Sequence, residues 1–212
     1  MALMVFMPQF SSGKASVLRL LLVAGLLLFG SAVPATAATT RLAAQGTIEV
    51  LFTPWDDAEG AIVRAMAEAR QSIHVQAYLI TSRPIAAALI AAAARGVKVK
   101  VLADREMAVK GANSRLPDLV RGGVSVWLET QYAAAHNKVI LIDAADDEDT
   151  QFSPPLVPLI ITGSYNYTWS AQARNAENLL LLRGNAPLAK RYLGNWRRHL
   201  SEAQAWNEED AK

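Results

Sequence analysis

Two short stretches hold the residues best suited to chemistry: "HNKVILID" at 136–143 and "GSYNYT" at 163–168. Residues two apart in a strand leave it on the same face. His136 and Lys138 therefore project together. Ile140 and Ile142 continue that face inward, and Val139 and Leu141 line the other. A cation beside an imidazole disfavours its protonation, which keeps a ring nitrogen free as a nucleophile near neutral pH. The lysine is also a donor for an anion held against that ring. Gly163 lets backbone approach closely, and Ser164 and Asn166 add neutral donors. Phosphoryl transfer asks a protein mainly to position the group and neutralise charge on its oxygens. Lys138, Gly163, Ser164 and Asn166 suit that task. Glu177, in "RNAEN", is expected to accept a hydrogen bond from the second ring nitrogen of His136 and fix its tautomer. Asp143 has the wrong parity to face a substrate and is expected to bond backbone or loop at the strand end.

These residues must be positioned by regular elements. Alternation predicts strands at 47–52, 72–80, 97–104, 124–129, 138–143, 158–162 and 176–182. Helical spacing predicts helices at 56–70, 84–96, 115–123 and 186–206, with 104–114 a loop. Asp56 and Glu59 have capping-box spacing for the first helix. Ser82, Pro84 and Gly96 punctuate the second. Strands and helices interleave, so the class is α/β: a mixed sheet flanked by helices on both faces.

The first 37 residues read differently. Lys14 and Arg19 accompany an apolar stretch from Val17 to Phe29, and Ala35-Thr36-Ala37 follows as a small-residue cleavage pattern. The expectation is a secretory signal peptide cut after Ala37, a flexible leader at 38–46, and one domain at 47–212. The run Leu20–Phe29 is too short to span a bilayer comfortably, so no stable membrane span is expected after its removal. The protein is then periplasmic or secreted. The remaining 175 residues carry 19 basic and 19 acidic side chains, so global charge does not announce a polyanion partner. The chain has no cysteine, which excludes thiolate nucleophiles and cysteine metal sites.

His136, Lys138, Asp143, Gly163, Ser164 and Asn166 together resemble the phospholipase D superfamily, whose motif is H-x-K-x(4)-D followed by G-S and Asn. The likeness runs from residue 48 to about 206, and Glu177 falls where the small bacterial endonucleases of that superfamily carry a glutamate. The resemblance implies a phospholipase D-like domain. It implies a metal-independent phosphodiesterase that needs no cofactor and works through a phosphohistidine. A second histidine would protonate the leaving oxygen and then activate water. This chain has one motif, so the resemblance implies a homodimer in which His136 of each subunit meets its counterpart. The expected substrate is DNA, with RNA as a further one. A lipid phosphodiesterase is the alternative, and a catalytically inactive nucleic-acid-binding protein a second. One departure is the segment 144–157. Lengthening the stretch between the motif Asp143 and Gly163 from about six to nineteen residues costs only about 1 kcal/mol in closure entropy. Its acidic residues, Asp146 to Asp149, either repel or gate nucleic acid or form a solvated loop tip, and a charge run at a loop end favours the tip.

Other residues carry weaker expectations. Arg83, Arg105, Lys110, Arg115 and Arg174 are candidates to track a phosphate backbone. Tyr165, Tyr167 and Trp169 are either a base-stacking platform or packing. His74 reads as a core or rim histidine, and His199 as part of a solvated helix face.

Overall fold

In the computed structural model, residues 40–110, 113–144 and 156–207 are described. The expected signal segment and most of the expected insertion lie outside them. Eight strands form one sheet: β1 (Thr47–Thr53), β2 (Ser72–Ala77), β3 (Lys98–Asp104), β4 (Ser125–Glu129), β5 (Lys138–Ile142), β6 (Leu159–Gly163), β7 (Glu177–Arg183) and β8 (Gln204–Ala205). Their order across the sheet is β1-β7-β6-β5-β2-β3-β4-β8. β2, β3 and β4 run parallel, and the other neighbours pair antiparallel. Among the described residues six helices accompany the sheet: α1 (Ala58–Glu68), α2 (Arg83–Ala94), α3 (Arg105–Lys110), α4 (Leu116–Arg121), α5 (Trp169–Ala173) and α6 (Ala186–Glu202).

Strand alternation divides the core into two layers. On one face Ile73, Val75, Val101, Ile140, Ile142, Ile161 and Leu181 pack with the apolar stripes of α1, α2 and α4. In α1 that stripe is Ala58, Ala61, Ile62, Ala65 and Met66, the i, i+3, i+4 spacing of a half-buried helix. Ile62 is fully buried, and truncating it to alanine is expected to cost about 2–5 kcal/mol. On the other face Leu102, Val139, Leu141 and Ile160 lie beneath Ala189, Leu193 and Trp196 of α6. The mixed sheet with helices on both faces is therefore as the sequence implies.

α6 leaves part of its face open. Ile48, Val50 and Phe52 alternate along the edge strand β1 and are 62%, 50% and 50% exposed. They pair in register with Leu182, Leu180 and Asn178 of β7.

Several local expectations need correction. α1 is capped by Asp57, whose carboxylate accepts from the Gly60 N–H at 2.9 Å. Asp56 instead accepts from the Phe52 N–H, and Glu59 from the Ser82 hydroxyl, so the capping box does not form. The 104–114 loop contains α3, started by Asp104, which accepts from the Met107 N–H at 2.9 Å. The final helix stops at Glu202, because Gln204 and Ala205 pair with Leu128 and Trp127 as an edge strand. Ser82, Pro84 and Gly96 act as expected: Ser82 accepts from the Ile85 N–H, and Gly96 takes a positive φ of 90° past the helix end. Among the described residues no helix is long and apolar enough to cross a membrane.

Candidate active site

The antiparallel hairpin β5–β6 carries the site at one end. Val139 pairs with Thr162 there, and Ile142 pairs with Leu159 at the other. His136 and Lys138 stand at the start of β5, Gly163 and Ser164 at the end of β6, and Glu177 and Asn178 at the start of β7. The segment 144–157 leaves from the opposite end. Five strand residues separate the two ends, about 13–17 Å of extended chain. Its described flanks, Ala144 and Leu156, lie at the end of the hairpin opposite His136. The acidic residues 146–149 themselves are outside the described residues.

The Lys138 ammonium donates to the His136 carbonyl oxygen at 2.9 Å and sits 2.9 Å from Nδ1 of the same residue's ring. His136 is exposed, whereas Lys138 is 6% exposed. Burial pushes the Lys138 ammonium below the ordinary lysine value, and the Glu177 carboxylate partly offsets this. With the lysine charged, Nδ1 is the acceptor, and a neutral ring carries its proton on Nε2. That tautomer cannot attack through Nε2. An incoming phosphate oxygen that draws the ammonium from Nδ1 would free the ring to change tautomer.

Glu177 is differently engaged from what the sequence suggests. Its Oε2 accepts from the Ser164 hydroxyl at 2.5 Å and its Oε1 from the Asn175 amide at 2.9 Å. It thus orients Ser164 in this structure, and Lys138 occupies the His136 Nδ1. Asn178 completes that arrangement: its backbone and side-chain N–H groups both reach the Ser164 hydroxyl, at 3.1 and 3.3 Å. Gly163 permits it, since a Cβ there would stand 2.2 Å from the Asn178 carbonyl oxygen. The Asn166 side-chain oxygen is buried without a hydrogen-bond partner, so any contact from Asn166 to a phosphate oxygen comes from its amide N–H.

Asp143 behaves as parity requires. Its carboxylate turns away from the site and accepts from the backbone N–H groups of Arg70, Gln71 and Ser72, at 2.7 to 3.2 Å. It takes φ = 50°, a left-handed conformation that aspartate tolerates better than most residues.

The flanking expectations sort themselves by burial. Tyr165 and Tyr167 are buried and pack in the core, so they form no stacking platform. Trp169 is exposed, with the Arg174 guanidinium 5.7 Å from its ring centroid. Arg83 and Arg105 are exposed at helix starts. Arg115 pairs with Asp118 at 3.1 Å, and the Lys110 side chain is outside what is described. His74 is buried, 4.6 Å from the Trp196 ring. His199 is not on a solvated face: its Nδ1 lies 2.5 Å from the buried Glu129 carboxylate.

Sequence reasoning missed Tyr78 and Asn178. Tyr78 stands just past β2, and its ring lies against His136, centroids 4.5 Å apart. Only the β2–β5 register, which pairs Ala77 with Lys138, brings it there.

The family described as "Cardiolipin synthase, PLD-like domain" matches residues 62–200. This chain belongs to the phospholipase D superfamily of phosphodiesterases. The phospholipase D of Rickettsia typhi is 39% identical over 149 residues, 70% of this chain and 66% of that protein. The chain thus spans about two thirds of that relative's length. The mitochondrial cardiolipin hydrolase of Drosophila melanogaster is 29% identical over 127 residues, covering 57% of this chain and 50% of that one. Among solved structures, the phospholipase D family member Nuc from Salmonella typhimurium superimposes with a TM-score of 0.66 at 26% identity. That match covers 76% of this chain and 99% of Nuc. The phospholipase D-like fold therefore accounts for the single sheet with His136 and Ser164 at one hairpin end.

Proposed function

We infer that the protein is a metal-independent endonuclease on DNA, with RNA as a further substrate, whose active centre forms between two copies of the chain. The observation that carries this reading is the count of histidines at the site. His136 stands there alone, while His74 is buried under α6 and His199 is bonded to Glu129. A histidine nucleophile needs an acid for the leaving oxygen, and the partner's His136 supplies one. Once a phosphate oxygen has drawn the Lys138 ammonium from Nδ1 and the ring proton has moved to Nδ1, Nε2 of His136 attacks phosphorus and the ester P–O bond breaks. The leaving oxygen takes a proton from the partner's His136. That imidazole then removes a proton from water, which attacks phosphorus and releases His136. The Lys138 ammonium and the Asn166 amide N–H hold the non-bridging oxygens, and the Ser164 hydroxyl joins them by turning its proton from Glu177. The open face of β1 and β7 supports an interface, since Ile48, Val50 and Phe52 are apolar, exposed and in line with Asn178 and Ser164.

A lipid phosphodiesterase is the second reading, favoured by the names of the Rickettsia and Drosophila relatives. The test is to incubate the full chain with plasmid, and separately with cardiolipin-containing vesicles, both in excess chelator. Supercoiled plasmid should be nicked by the native chain and stay intact with His136→Ala. Lipid headgroup release with untouched plasmid would sink the nuclease reading. A requirement for added divalent metal would sink the mechanism.

A further inference from the structure

We propose that Tyr78 is a positioning residue for phosphoryl transfer, its ring being the wall on which His136 and Lys138 are both set. This rests on the reading of His136 and Lys138 as the reacting pair. Three observations converge on the one ring. The His136 imidazole lies 4.5 Å from it, centroid to centroid, tilted by 58°. The Lys138 ammonium lies 5.1 Å from its centroid. The Tyr78 N–H donates to the Asn137 carbonyl at 2.9 Å, which ties the ring's backbone to the residue between the two.

Each contact has a distinct effect. Lys138 is almost wholly removed from water. Burial depresses its charged form, and an aromatic face opposes that by presenting negative quadrupole density to the ammonium. His136 is exposed, and a free imidazole there would sweep through several rotamers. A ring at contact distance restricts that sweep before substrate arrives, when ordering would otherwise be paid in activation entropy. The same ring remains beside Lys138 if the ammonium turns from Nδ1 toward a phosphate oxygen. These effects belong to the π face, so the phenolic hydroxyl is dispensable.

The experiment uses the full chain, bis(4-nitrophenyl) phosphate as a small diester, and chelator throughout, over pH 6 to 10. Tyr78→Phe should keep kcat within about twofold and hold the pH profile. Tyr78→Leu fills similar space without a π face. Its kcat should fall about tenfold, on the scale of one desolvated cation–π contact, with KM little changed. Its alkaline limb should move to lower pH, because Lys138 keeps its burial and loses the group that favours its charge. A fluorinated phenylalanine series at position 78 keeps ring shape while weakening the quadrupole. The alkaline limb should then fall stepwise with fluorine number, which settles the matter even if the leucine variant is unstable. A leucine variant with native kcat and pH profile would overturn the proposal. So would a phenylalanine variant as impaired as leucine, or a fluorine series with no trend. Persistent turnover in His136→Ala would remove the reading beneath it. An inactive His136→Ala beside an unaffected Tyr78→Leu would remove only the positioning role.

Discussion

Asp143 shows how a motif residue can serve the site without facing it. Its carboxylate satisfies the backbone N–H groups of Arg70, Gln71 and Ser72, which connect α1 to β2. Removing the acceptor leaves these donors unpaired in a partly or wholly buried place. Asp143→Ala should therefore lower stability by about 3 kcal/mol in urea denaturation, since charge-assisted bonds carry the larger hydrogen-bond energies. Asp143→Asn keeps one acceptor oxygen and tolerates the positive φ, so it should lose roughly half as much. An alanine variant as stable as the native chain would contradict this role. Parity in the sequence was enough to turn Asp143 from the site and to place His136 beside Lys138, because a strand period is local. The partner of Glu177 was not readable that way. It is set by how β6 and β7 align, which brings the Asn178 carbonyl to the Ser164 N–H.

At the scale of elements, β2 and α6 meet over His74. The Trp196 indole N–H donates to the Val75 carbonyl at 3.0 Å, and its ring lies on His74. Burial, with Lys100, Arg197 and Lys98 nearby, lowers the His74 pKa from 6.5 to about 4. The folded chain thus keeps His74 neutral where the unfolded chain protonates it. The associated stability is present above pH 6.5 and is lost as pH falls toward 4, about 3 kcal/mol in all. His74→Leu should flatten the fall in denaturation midpoint between pH 7 and 4.5; an unchanged slope would place the acid sensitivity elsewhere. Long elements were legible because alternation and helical period repeat over enough residues to register. α5 and β8 have five and two residues, too few to show a period, and α3, six residues like α4, lacks the Pro and Gly-Gly punctuation that marks α4. β8 exists because Trp206 donates to the Val126 carbonyl and Gln204 pairs with Leu128, contacts made across the fold. His199 escaped for the same reason, since Glu129 is 70 residues away in the chain.

At the scale of the whole molecule, the sheet is unequally covered. Among the described residues α1, α2 and α4 share one face, while α6 alone covers the other and leaves Ile48, Val50 and Phe52 exposed. If two copies meet through this face, Val50→Glu should bury a charge at the interface and shift the assembly toward monomer in sedimentation. Activity on the small diester should fall in proportion, since the monomer holds one histidine at the site. A fully active monomer would contradict the shared centre. The same sheet explains why a long segment at 144–157 is compatible with the motif. The β5–β6 hairpin has two ends with separate obligations. One is fixed by atoms that must meet a phosphate, and the other need only return the chain in register. Length can therefore drift at the second end without a signal reaching the first. For the experimenter, that far end is a place to attach a fluorescent or affinity label while leaving the chemistry alone.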